Sequence, residues 1–194
     1  MLVLQAMRAE ELFGLPLRSG GEEVYEDLWK DRQNIVLIGM PGSGKSTVGR
    51  ILAEELHKEF FDTDEVFTEE YKITPGDCIT KEGEDAFRLK ETEVVRKTAM
   101  TGGRVIATGG GVVCRRINTE FLKQNGFMVY LKRDLEHLST QGRPLSNGTD
   151  AVKNLYEKRK SLYENSADCA VENREEDILF TVKEIKEAYE NTDH

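Results

Sequence analysis

The stretch NIVLIGMPGSGKSTVGRILAEELH, residues 34–57, constrains this chain more than any other. Its first part is a run of branched apolar residues, the pattern of a strand buried on both faces. Its last part sets Val48, Ile51, Leu52 and Leu56 on one face of a helix. Between them Gly39, Gly44, Lys45 and Ser46 complete G-x-x-x-x-G-K-[ST]. Glycines let successive backbone N–H groups wrap phosphate oxygens, and the helix start adds the positive end of its dipole. Gly42, Ser43, Gly44, Lys45, Ser46 and Thr47 are therefore candidate nucleotide-binding residues, with Lys45 reaching the terminal phosphates and Ser46 ligating Mg2+. GTPases, nucleotide kinases, small-metabolite kinases and helicases all use such a loop, so the phosphoryl acceptor must be read elsewhere.

The rest of the chain repeats the alternation that this segment begins. EFFDTD, RVIATG, FMVYLK and DCAVEN read as strands. Helical patterns cover 83–99, RRINTEFLKQNG, 151–165 and EEDILFTVKEIKEAYEN. This predicts an α/β fold: a parallel sheet with helices on both faces, its ligands gathered at the carboxyl ends of the strands. The length of 194 residues suits one domain, starting near Asn34 and running to the end. Residues 1–33 form an N-terminal extension, with GLPLRSGGEE as a linker between two short helical patterns.

The net charge of −9 argues against nucleic acid and against an anionic membrane as partners. Any anionic ligand must be met by a few locally gathered cations. Cys78, Cys114 and Cys169 are odd in number and form no CxxC pair, which suits reduced thiols in the cytoplasm. The first apolar run is interrupted by Arg8 and is too short for a signal peptide, and no segment has the length of a membrane span.

Several residues sit oddly for a purely structural role. Asp62 and Asp64 fall two apart at a strand's carboxyl end, on one side of the chain if it stays extended. They suit one acid on magnesium water and one on a substrate hydroxyl, or a helix N-cap at Thr63 or Asp64. In GEDAFRLKETEVVRKTA, Glu91 lies on the stripe of Phe87, Val94, Val95 and Thr98, with Arg88 three residues before it. That is either a buried ion pair or a guanidinium oriented to grip a ligand carboxylate. Arg159 shares the stripe of Val152, Leu155, Tyr156, Leu162 and Tyr163, either snorkelling or serving as a second arm. Gly109, Gly110 and Gly111 end a strand, as a plain turn or as backbone brought close to a ligand. Arg143, in GRPLS, sits in a loop that can close over a transferring phosphoryl group or simply be solvated.

Taken together, GMPGSGKSTVGR, DTDE, GEDAFRLKE, GGG, RPL and RKSLY resemble the shikimate kinase family in order and spacing, across about residues 34–189. The resemblance implies a three-layer α/β/α P-loop kinase fold with a five-stranded parallel sheet. It implies transfer of the ATP γ-phosphoryl group to the 3-hydroxyl of shikimate, giving shikimate 3-phosphate and ADP in chorismate and aromatic amino-acid biosynthesis. By position, Asp64 would bind the shikimate hydroxyls, including the attacking one. Asp62 would hold Mg2+ through water beside Ser46. Arg88 and Arg159 would clamp the carboxylate, with Gly109, Gly110 and Gly111 supplying backbone contacts to the substrate. Lys45 and Arg143 would stabilise the transferred group. Shikimate and ATP are then the partners, and the chain is read as a cytoplasmic monomer.

Two features depart from that family. The arginine usual shortly before the lid is missing from EHLSTQG, which leaves Arg174 in ENREED, or backbone, to meet adenine. MLVLQAMRAEELFG resembles the last helix of shikimate dehydrogenases, so the extension is read as a generic amphipathic appendage or as part of a dehydrogenase–kinase fusion. Other small-metabolite kinases, such as gluconate kinase, and a non-catalytic nucleotide-binding module are the rival readings.

Overall fold

The computed structural model describes residues 30–135, 138, 149–174 and 176–192. Strand β1, Asn34–Ile38, is buried along its whole length and occupies the middle of a five-stranded parallel sheet. Beside it run β2 (Glu59–Asp62), β3 (Arg104–Ala107), β4 (Gly126–Lys132) and β5 (Cys169–Glu172), in the order β2-β3-β1-β4-β5. Val36 pairs in register with Ile106 on one side and with Met128 on the other. The sequence reading of a doubly covered parallel sheet therefore holds.

The period of two divides the strand residues between the two faces. Val36, Ile38, Ile106, Met128 and Tyr130 face one helical layer. That layer comprises α4 (Glu84–Ala99), α5 (Arg116–Lys123) and α6 (Thr149–Ser166). Ile35, Leu37, Val105, Phe127 and Val129 face α1 (Lys45–Glu55) and α7 (Ile178–Glu190), meeting Val48 and Leu52 from the former and Val182 and Ile185 from the latter. Each fully buried aliphatic side chain contributes about 1.5–3 kcal/mol, so the two layers can offset the cost of charged groups buried at the site. Among the described residues, no helix is long and apolar enough to cross a membrane.

Two helices stand outside the helical patterns read from the sequence: α2 (Thr63–Tyr71), whose one sign was the possible cap at Thr63 or Asp64, and α3 (Pro75–Glu82). Both start on local caps. The Asp62 side chain accepts the Asp64 N–H, and Thr74 accepts the Asp77 N–H with Pro75 at the first helical position. They bury little: Phe67 and Cys78 join Phe87 and Val94 of α4 in a small separate cluster. Phe67 and Phe87 meet edge to face at 5.2 Å. This cluster carries an outer wall that stands over the carboxyl ends of β2 and β3.

Leu162 also departs from the expected stripe of α6: it is exposed, while Val152, Arg159 and Tyr163 are buried. The extension falls on residues 1–29, outside the described part, apart from its last few positions. There, residues 30–32 are helical. The Lys58 ammonium donates to the carbonyls of Lys30, Asp31 and Gln33 at 2.9–3.1 Å, and the Tyr189 hydroxyl donates to that of Lys30. These bonds fix the entry to β1 at the amino-terminal end of the sheet, away from the site.

Candidate active site

A cavity of about 960 Å3 opens above the carboxyl ends of the strands. Its wall includes the phosphate loop, Asp62, Asp64, Arg88, Gly109–Gly111 and Arg159. The sheet order explains how residues so distant in sequence meet. The loop after β1 is central, the acids follow β2, the glycines follow β3, and α4 and α6 cover the same end.

On the loop side, Lys45 is buried and its ammonium donates to the carbonyls of Gly39 and Met40 at 3.0 and 2.8 Å, and to Ser43 Oγ at 3.3 Å. Gly42, Gly44, Ser46 and Thr47 line the cavity; Ser43 is buried behind it. Ser46 Oγ donates to Asp62 Oδ2 at 2.5 Å. A serine hydroxyl beside a carboxylate is a hard-oxygen pair of the kind Mg2+ accepts, directly or through water. Asp62 also caps α2, its Oδ1 accepting the Asp64 N–H at 2.9 Å. Of the two sequence alternatives, an extended chain or a helix cap at Thr63 or Asp64, the structure has a cap, one residue earlier at Asp62. The cap at Asp62 turns it into α2, and both acids still line the cavity.

On the other side the largely covered Arg88 meets the buried Glu91 and Arg159. Arg88 donates through one terminal nitrogen to both Glu91 oxygens, at 3.0 and 2.9 Å, and through the other to Glu84 at 3.0 Å. The two partners differ: the Glu91 side chain is 6% exposed and that of Glu84 is 50% exposed. Burial opposes the Arg88 charge, but Glu91 outweighs it by charge and hydrogen bond, so the guanidinium is held above its ordinary range. Burial in turn pushes the Glu91 carboxyl up, against Arg88, Arg159 and Arg115. Arg159 is 5% exposed and donates to the Gly110 carbonyl at 3.1 Å.

The three glycines are needed for close approach. A Cβ on Gly109 would stand 2.7 Å from Asp64 Oδ1, and one on Gly111 would stand 2.4 Å from an Arg88 terminal nitrogen. Their backbone is only partly available to a ligand. The Gly109 N–H is taken by Thr63 Oγ1 at 3.0 Å, and the Gly110 carbonyl accepts from Arg159 and from the Tyr163 hydroxyl.

Not every sequence candidate reaches the cavity. Arg174 has its guanidinium 4.3 Å over the Phe180 ring and is not part of the wall. Arg143 lies outside the described residues. Other contributors escaped the sequence reading. Arg115 donates to the Arg88 carbonyl and to Thr92 Oγ1, holding α4 where its arginine emerges. Arg133, just past β4, lines the cavity and donates to the Gly42 carbonyl at 3.2 Å. Asn173, just past β5, donates to the Ser43 carbonyl at 2.7 Å. For Arg133 and Asn173 the one sequence signal is position, since each follows the carboxyl end of a strand.

Comparison with known proteins agrees with this geometry. The family model described as shikimate kinase matches residues 41–190. A shikimate kinase from Symbiobacterium thermophilum is 38% identical over 164 residues, covering 79% of this chain and 94% of that protein. The pentafunctional AROM polypeptide of Schizosaccharomyces pombe is 34% identical over 166 residues, covering 78% of this chain but 10% of that longer one. Among solved structures, shikimate kinase from Acinetobacter baumannii in complex with shikimate superposes with a TM-score of 0.78 at 33% identity, covering 83% of this chain and 94% of that one.

Proposed function

This chain belongs to the shikimate kinase family, and on that premise we propose that it transfers the γ-phosphoryl group of ATP to the 3-hydroxyl of shikimate, yielding shikimate 3-phosphate and ADP. The observation that carries the reading is one cavity bordered by a phosphate loop, the buried Arg159, the largely covered Arg88 and Asp64. A triphosphate cradle alone fits many kinases. A pair of guanidiniums on the same wall adds demand for a small carboxylate, and an aspartate beside them adds demand for a hydroxyl.

The roles follow from the partners. Glu91 fixes one side of the Arg88 fork, and the acceptor carboxylate replaces the half-exposed Glu84 on the other. Arg159, tied to Gly110, is the second arm. Asp64 holds the acceptor hydroxyl and takes its proton as the oxygen attacks. Lys45 exchanges its neutral acceptors for charged phosphate oxygens, which make the stronger hydrogen bonds. Arg143 meets the same group by its place in the loop GRPLS. Mg2+, held at Ser46 and through water at Asp62, would neutralise charge on the β- and γ-phosphates. Transfer of this kind needs mainly positioning and charge stabilisation, which these residues supply. A cytoplasmic setting is favoured by Cys78, Cys114 and Cys169, none of which forms a disulfide.

A coupled assay of ADP release, run with Mg2+-ATP and either shikimate or gluconate, tests the reading. Turnover with shikimate and not with gluconate is expected. No ADP release with shikimate at saturating ATP overturns it. The likeness of residues 1–14 to a dehydrogenase helix is a separate proposal. An open dehydrogenase frame continuous with the Met1 codon supports it, and a stop codon between them removes it.

A further inference from the structure

The ends of β4 and β5 reach the phosphate loop through Arg133 and Asn173. Asn173 leaves β5 with its N–H donated to the Lys132 carbonyl at 2.8 Å, so its backbone is anchored to the neighbouring strand. Its side-chain amide then donates to the Ser43 carbonyl at 2.7 Å, a contact spanning 130 positions. The other amide atom, Oδ1, is buried without a hydrogen-bond partner among the described residues. An unpaired buried carbonyl is unfavourable, so the amide's orientation is not explained by satisfaction of its own groups. What the orientation does accomplish is to hold one loop peptide.

A trans peptide is planar, with its C=O and N–H pointing in opposite directions. Drawing the Ser43 carbonyl toward β5 therefore aims the N–H of the same peptide, which belongs to Gly44, the other way. Gly44 lines the cavity. Its φ of 92° is left-handed, and a Cβ there would lie 2.3 Å from the Asn173 amide nitrogen. Glycine at 44 and asparagine at 173 thus fit one another. The preceding carbonyl, of Gly42, is held in the same manner by Arg133 from the end of β4.

We infer that Asn173 is a positioning residue of the phosphate cradle: by holding the Ser43 carbonyl it turns the Gly44 N–H toward a nucleotide phosphate. It acts through the peptide and does not itself line the cavity. The inference rests on the nucleotide-binding reading above, and it adds a residue from outside the G-x-x-x-x-G-K-[ST] motif.

Asn173→Leu keeps the branched outline of the side chain and removes the donor; Asn173→Ala removes both. The full-length variants are compared with the unmutated chain for ADP affinity with Mg2+ by calorimetry, shikimate affinity, KM for each substrate, and melting temperature. The unmutated chain comes first: if it does not bind ADP, the nucleotide reading itself fails. If it does, the expected result is an ADP Kd and an ATP KM raised about tenfold or more in both variants. Shikimate Kd and KM should stay within about twofold of the unmutated values. ADP affinity unchanged, or ADP and shikimate weakened equally, overturns the inference. Failure of both variants to fold overturns it too, since Asn173 would then belong to the fold and not to the cradle.

Discussion

Asp64 and Gly109 stand so close that a methyl group on the glycine would lie 2.7 Å from the carboxylate oxygen and 3.4 Å from Glu91 Oε1. Gly109→Ala must therefore push Asp64 out of place, because its own backbone is fixed by the Thr63 hydroxyl. The expected outcome is a fall in kcat of about 10²-fold or more, from misplacement of the hydroxyl-binding group by about an ångström. ADP affinity should be nearly unchanged. Steady-state kinetics beside ADP titration checks this.

Arg159→Ala removes one arm of the carboxylate clamp and leaves the loop side untouched. A charged hydrogen bond contributes about 1.5–3 kcal/mol, so KM for shikimate should rise roughly 10–100-fold while KM for ATP barely moves. Equal losses for both substrates would mark Arg159 as a structural partner of Gly110 and Glu91.

Asp64→Asn keeps shape and removes the base. If Asp64 takes the hydroxyl proton, turnover should drop by about 10²–10⁴-fold with ATP binding intact. An unchanged rate would take Asp64 out of the chemistry. Asp62→Asn should behave differently: it touches Ser46 and the α2 cap together, so weaker Mg2+-nucleotide binding should accompany some loss of stability.

Alkaline stability carries a signature of the buried phenols and thiol. Burial, with a smaller contribution from Asp31, pushes the Tyr189 hydroxyl up to about 12 from its ordinary 10.0. Burial and then Asp168 push Cys169 up to about 11 from 9.0. Tyr163 and Tyr130 move in the same direction, burial first in each case. Above pH 9 the unfolded chain loses protons that the native state keeps. The native state then binds more protons, so stability must fall as pH rises. Each such group adds a slope of about 1.4 kcal/mol per pH unit once its unfolded form has ionised. Urea unfolding at pH 9, 10 and 11 should give steadily lower stability, with a shallower fall for Tyr189→Phe. Constant stability across that range contradicts the burial argument.

Much of this molecule was legible in its residues, for identifiable reasons. Ile35–Ile38 and Phe127–Leu131 are buried on both faces, so their strands are continuous apolar runs. Arg88, Glu91 and Arg159 stood out because charges on an apolar helical stripe conflict with burial unless they have work to do. Helices α2 and α3 did not stand out, since few of their side chains are buried and their starts depend on the caps at Asp62 and Thr74. The bonds from Arg133 to Gly42, from Asn173 to Ser43 and from Tyr163 to Gly110 were equally hidden. They join strand ends and helices far apart in the chain, and no periodicity records a contact that only the sheet order creates.

The ratio of kcat/KM for shikimate to that for its methyl ester reads the paired guanidiniums most directly, since esterification removes the anion and leaves the ring hydroxyls. A preference of about 10²-fold or more for the acid, collapsing toward unity in Arg88→Ala combined with Arg159→Ala, is the predicted result. Equal use of acid and ester by the unmutated chain would contradict the account.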